Sequence, residues 1–324
     1  MKVLKDLSLL RIFYKEKRSL APAFIDYFKH QRSLSDFNVA VKNCEILHGV
    51  NIVLLIDRQR AVVYRYALNA LGRAGIVNNF KFLTNSKLDG IPVPIKLLLE
   101  DDHRGISAES FMPGRPLKAG DVNDGCFGAV LGRLFSFYRA NVVHVEFEIS
   151  AWFKQYEHFL LHIHPVHTQK LTRLKEILIK KWHSDGRIKA ARTYIHGDLT
   201  FRNVLVDGNR ILFFDFDRSA IDFPEFDVPL FYFDQRTHQN RIASYDVYFD
   251  YIMQFIRGET DVKFLEDFYK INPVFSGNKQ MAQMIRCLFL YRALLFSLYD
   301  LNEKDGSALN RFDRILHEAS GKGF

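Results

Sequence analysis

The pattern of apolar and polar positions changes period along the chain. Residues 1–38 interleave Leu9, Leu10, Ile12, Phe13, Phe24, Ile25, Tyr27 and Phe28 with Arg11, Lys15, Lys17, Arg18, Lys29 and Arg32. Pro22 divides this segment into two short helical pieces, which predicts a basic N-terminal extension. Between 37 and 66 the pattern becomes strand-like, in Phe37–Val41, Cys44–Leu47, Ile52–Ile56 and Ala61–Tyr66, and predicts an antiparallel three-stranded meander. A helical stretch over 68–88 follows. Gly90-Ile-Pro-Val-Pro94 ends it, Ile95–Leu99 resumes a strand, and Glu109–Gly114 reads as a strand end and a turn. From about 121 onward the apolar spacing approaches 3.6 and predicts helices at Val122–Ala140, at Trp152–Leu161 and through 242–318. One hairpin interrupts them: Val204–Val206, the tight turn Asp207-Gly208-Asn209, then Ile211–Phe214.

These elements predict an α+β chain in three parts: a helical extension over 1–38, a small β-rich lobe over 39–112 and a larger, mainly helical lobe over 113–324. A content of 48% hydrophobic and 25% charged residues excludes a mainly disordered chain. The most apolar run, Cys287–Tyr299, is short and carries Arg292, so no stretch approaches a membrane span. The N-terminus lacks the apolar core of a signal peptide. Three scattered cysteines, Cys44, Cys126 and Cys287, form no metal pattern and point to a reducing compartment. The expected location is cytoplasmic, with peripheral contact at an anionic membrane as one role for the basic N-terminal segment. The formal charge of +8 favours an anionic partner. No nucleic-acid-binding module accompanies it, so no nucleic acid partner is expected, and no obligate protein partner is inferred.

The segment with the most chemistry is Tyr194-Ile-His196-Gly197-Asp198-Leu-Thr-Phe-Arg-Asn203, followed twelve residues later by Asp215-Phe216-Asp217. Phosphoryl transfer from a nucleotide needs a carboxylate near the acceptor hydroxyl and hard oxygen ligands for Mg²⁺. One short loop presents Asp198 and Asn203 to the same place, and the hairpin returns Asp215 beside them. Gly197 permits a tight backbone path next to the carboxylate. His158 and His162 stand four apart, close to His164 and His167, but the glutamate of a metalloprotease motif is absent.

This pair of motifs, H-G-D-x4-N and D-F-D, resembles the aminoglycoside phosphotransferase and choline kinase superfamily, which has a protein-kinase-like fold. The similarity extends over about 40–235. Leu47-His-Gly49-Val-Asn51 is similar to the hairpin over the phosphates, with one glycine of the usual two. Val62-Val-Tyr-Arg65 stands where the family carries its phosphate-contacting base, and Glu109–Gly114 looks like the hinge that meets the nucleotide base. The resemblance implies a bilobal fold, ATP (or GTP) and Mg²⁺ as cofactors, and a small-molecule hydroxyl as acceptor. It implies that Asp198 orients or deprotonates that hydroxyl and that Asn203 and Asp215 hold the metal. His196 and Asp227 brace the loop, Arg65 and Asn51 meet the phosphates, and Ser110 and Met112 meet the base. Asp217 assists metal or substrate, or has no part.

The chain departs from the family in the helix after Arg65. No acidic residue lies between Arg65 and Asp89, and Asn79 stands closest to the family's usual glutamate. Two readings follow. One is a kinase acting on a cell-envelope sugar, a lipid head group or an amino alcohol. The alternative is a nucleotide-binding pseudokinase with a regulatory or scaffolding role.

Overall fold

The structure is a computed structural model. It describes residues 44–48, 51–85, 96–100, 105–118, 121, 126–161, 163–182, 188–240, 245–260, 262–277 and 279–300. The expected extension 1–38 and the strand at 37–41 lie outside the described residues. The chain divides into two compact units, Met1–Ile76 with Lys96–Phe111, and Val77–Ile95 with Met112–Phe324. The division falls inside helix α1 (Ala70–Asn85), so residues 77–95 belong with the second unit.

The first unit holds an antiparallel sheet in the order β1-β2-β3-β5-β4, formed by β1 (Glu45–His48), β2 (Ile52–Asp57), β3 (Val62–Ala67), β4 (Lys96–Glu100) and β5 (Ile106–Ser110). The period of two explains its faces. Val53 and Leu55, Tyr64 and Tyr66, and Ile106 and Ala108 bury one face. Leu54, Arg65 and Ser107 stand in register on the other.

The second unit contains most of the helices, but it is less uniformly helical than its sequence suggests. Strands β7 (Val143–Phe147), β8 (Ile188–Ile195) and β11 (Ala220–Asp222) form a sheet in the order β11-β8-β7. The short β6 (Arg115–Pro116) joins the hairpin of β9 (Val204–Asp207) and β10 (Arg210–Phe213). Runs as short as Ala220–Asp222 leave no periodic signal among longer helical stretches. The single helix expected at Trp152–Leu161 is two, α3 (Ile149–Lys154) and α4 (Glu157–Leu160). Around these strands lie α2 (Cys126–Ala140), α5 (Pro165–Trp182), α6 (Asp227–Asn240), α7 (Tyr245–Arg257), α8 (Val262–Ile271) and α9 (Lys279–Asp300). In α9, Met281, Ile285, Leu288, Tyr291, Leu295 and Leu298 recur every three or four residues and are buried, as one face of a core helix requires. No helix among the described residues is long and apolar enough to cross a membrane.

Candidate active site

Strand pairing assembles the site in the second unit. Ala220 of β11 lies opposite Ile195 of β8. The loop leaving β8, His196 to Asp198, therefore starts beside the segment entering β11, Asp215 to Ser219. The hairpin closes the other end. Phe213 pairs with Val204, and the Phe214 N–H donates to the Asn203 carbonyl at 3.2 Å. Asn203 and Asp215 thus flank one hairpin end.

The loop carrying Asp198 is held from several sides. Asp227, fully buried at the start of α6, accepts from the His196 N–H at 2.6 Å and the Gly197 N–H at 2.8 Å. The Tyr138 hydroxyl donates to the same carboxylate at 2.8 Å. Burial, reinforced by the Asp227 charge, keeps that hydroxyl protonated far above its usual range. Three charge-assisted bonds of this kind contribute about 1.5–3 kcal/mol each. His196 donates from Nε2 to the Phe214 carbonyl at 2.8 Å and accepts at Nδ1 from the Asp198 N–H at 3.3 Å, an arrangement that selects the Nε2–H tautomer. Gly197 has φ +84°, and a Cβ there would meet the Arg218 carbonyl oxygen at 2.0 Å. Only glycine fits that position without displacement.

Asn203 donates from Nδ2 to the Asp198 carbonyl at 2.8 Å. This commits the amide nitrogen and leaves Oδ1 for a cation. Asp215 has φ +67°, a conformation Asp tolerates better than most residues and one that collects at functional sites. A hard amide oxygen and a hard carboxylate at one hairpin end fit Mg²⁺, which commonly takes one or two protein carboxylates and completes its shell with water and substrate phosphates. No three His, Cys, Asp or Glu residues gather as a metal cage among the described residues. The half-buried Asp198 carboxylate lies 3.9 Å from Arg218 Nη1, a loose pair that contributes little to stability.

Several positioning groups were not evident from sequence. Phe216 is stacked on Phe82 at 3.9 Å and 12°, with the His196 ring 4.7 Å away. Asn79 accepts the Phe216 N–H at 3.0 Å, and Asn78 donates to the carbonyls of Asp217 and Ser219 at 3.1 and 2.7 Å. The last two turns of α1 therefore anchor the D-F-D segment, and Asn79 serves that segment's backbone. Its spacing from Phe82 on one helix face was the available signal.

In the first unit, Arg65 is buried and its Nε lies 3.0 Å from Glu109 Oε1. Its acidic partner thus comes from the neighbouring strand β5, where the register places Glu109 opposite Val63, diagonal to Arg65 on the same face. Asn51 accepts from Asn69 Nδ2 at 3.0 Å and, through its backbone carbonyl, from the Leu68 N–H at 2.8 Å. Ser110 lies opposite Val62, three residues along β3 from Arg65, or roughly 10 Å. The Phe111 N–H is bonded to the Ala61 carbonyl at 2.7 Å. Met112 follows, half-buried.

This fold and arrangement place the chain in a known class. Residues 76–253, more than half of the chain, match the profile of the phosphotransferase enzyme family (APH), and the chain belongs to that family. Its fold is the α+β, protein-kinase-like fold of that family. Among solved structures, amicoumacin kinase hAmiN in complex with AMP-PNP, Ca²⁺ and Ami is similar over 90% of this chain and 93% of its own, with 14% identity and a TM-score of 0.57. Choline kinase LicA from Streptococcus pneumoniae is similar over 88% and 96%, with 16% identity and a TM-score of 0.53. The GDP and kanamycin complex of APH(2")-IIia is similar over 92% and 100%, with 14% identity and a TM-score of 0.51. No curated protein matches the chain at the level of sequence.

Proposed function

We propose that this phosphotransferase moves the γ-phosphoryl group of ATP or GTP to a hydroxyl of a small molecule. The observation carrying this reading is the convergence of Asp198, Asn203 and Asp215 on one loop and one hairpin end, with Asp227 gripping two consecutive N–H groups of that loop. Asp198 takes the proton of the acceptor hydroxyl as its oxygen bonds to the γ-phosphorus. The bond to the β-phosphate oxygen breaks, and the nucleoside diphosphate leaves. Asn203 and Asp215 are the Mg²⁺ ligands, and Mg²⁺, when bound, neutralises charge on the phosphates. Arg65 and Asn51 serve the phosphates, Ser110 and Met112 the base, and Asp217 remains an auxiliary acid of the metal motif. The work of the chain is mostly positioning and electrostatics. Solved structures of this fold hold nucleotides together with small molecules such as kanamycin, which supports the same division of labour here.

The net charge of +8 supports an anionic acceptor, such as a cell-envelope sugar or lipid head group. The pseudokinase reading drew on the missing helix glutamate. Glu109 supplies Arg65 with a carboxylate from another element, and this favours the kinase.

The test is nucleoside diphosphate release with Mg²⁺ and a fractionated small-molecule extract, beside Asp198→Asn and Asp215→Ala. Transfer that needs one fraction falls about 10²–10⁴-fold in Asp198→Asn with nucleotide affinity kept. Mg²⁺-dependent nucleotide binding is lost in Asp215→Ala. Unchanged turnover in the first variant, or an identical Mg²⁺ titration in the second, refutes the assigned role.

A further inference from the structure

An arginine in the middle of an apolar helix needs a reason. Arg292 sits on the buried face of α9 and is 2% exposed. Leu or Met would fill that volume without the cost of removing a charge from water. No carboxylate pairs with it directly among the described residues. Its guanidinium instead lies 4.7 Å from the Phe296 ring centroid and 5.7 Å from that of Phe226, faces that attract a cation. Nε donates to the Tyr156 hydroxyl at 3.1 Å. Burial and the nearby Asp222 charge keep that hydroxyl protonated, and it donates in turn to the fully buried Asp222. Nη2 donates to the Gly197 carbonyl at 2.8 Å and, at 3.4 Å, to the Arg218 carbonyl.

We propose that Arg292 is a positioning residue that fixes the Gly197–Asp198 peptide, and with it the Asp198 carboxylate, from helix α9. The Gly197 carbonyl belongs to the same rigid peptide plane as the Asp198 N–H. That plane is held at one edge by Arg292 and at the other by His196 Nδ1. A second route reaches the same carboxylate. Phe296, one turn beyond Arg292, also lies under the Arg218 guanidinium at 4.8 Å, and Arg218 is the cation 3.9 Å from Asp198. One aromatic ring in contact with both guanidiniums thus ties α9 to the backbone and the charge of the loop.

The inference uses the proposed phosphotransfer only for what Asp198 does; the tether itself is measured without it. The experiment follows amide hydrogen exchange of His196, Gly197 and Asp198 in wild type, Arg292→Met and Arg292→Lys. Loss of a charged hydrogen bond raises exchange of the Gly197 and Asp198 amides about tenfold or more in Arg292→Met, while the amides of α9 keep wild-type rates. Lys keeps the charge but not the flat fork and restores part of the protection. In the transfer assay, kcat falls about 10–100-fold in Arg292→Met with the nucleotide KM unchanged. Loop exchange at the wild-type rate, or exchange raised equally through α9, overturns the proposal. If Arg292→Met does not fold, Arg292→Lys is read by the same exchange criterion, because it keeps a cation in the buried site and removes the fork that reaches the Gly197 carbonyl. Wild-type turnover in Asp198→Asn would reject the phosphotransfer reading and leave the exchange result standing.

Discussion

Glu225 carries a pH dependence that can be predicted from its surroundings. It lies two residues before Asp227, in the turn Pro224–Phe226, and is 2% exposed. Oε1 accepts from the Tyr269 hydroxyl at 2.7 Å, and Oε2 has no partner among the described residues. Burial is the main cause that lifts its pKa from 4.5 to about 7, opposed by the Tyr269 bond and aided by the charge of Asp222. Between those two values the folded chain keeps a proton that the unfolded chain has released. The free energy of unfolding therefore falls as pH rises from 4.5 to 7, and this contribution is flat on either side. The full change is about 3 kcal/mol. Glu225→Gln is neutral at every pH and lacks this slope. Any cost of placing its amide nitrogen where Oε2 stood is a constant offset. Urea unfolding of both proteins at intervals from about pH 4.5 to 8 isolates the difference, since the other carboxylates titrate alike in each. The variant gains about 3 kcal/mol relative to wild type across the window. Parallel stability profiles, or a wild type that gains on the variant with rising pH, refute the argument.

Two further outcomes follow from the same packing. Gly197→Ala forces a left-handed backbone on a residue with a Cβ and drives that atom into the Arg218 carbonyl. Its backbone cost alone is about 1–2 kcal/mol, so urea titration shows a lowered midpoint and transfer is lost. Glu109→Gln removes the carboxylate from the buried Arg65 and lowers stability by about 3–5 kcal/mol. The double change Arg65→Met with Glu109→Leu recovers most of that loss, and the same unfolding assay reads both.

How far these residues were legible depended on the range of the interaction. The strands β2 and β3, the helix α1 and the 204–213 hairpin follow from local period and turn chemistry, and the two motifs announced themselves by spacing. The partner of Arg65 did not. The expected acid was sought in the helix that follows it in sequence, whereas strand register brings Glu109 from forty-four residues away to the same face. Asn78 reads as an undistinguished helix polar and Asn79 only as the residue nearest the family's helix glutamate, and their use on the backbone around Phe216 depends on a contact about 140 residues distant. Arg292 read as an interruption of an apolar run. Its role is set by Gly197, ninety-five residues earlier, and no local pattern encodes such a pairing.

The Arg65–Glu109 pair also bears on how such a protein can be controlled. Where the acid sits on a helix, displacing that helix breaks the pair, and the displacement serves as an off switch. Here both partners stand on adjacent strands of one hydrogen-bonded sheet. Moving α1 leaves them together, because strand register holds their backbones side by side. A signal that swings this helix would act instead through the contacts of Asn78, Asn79 and Phe82 with the segment around Phe216.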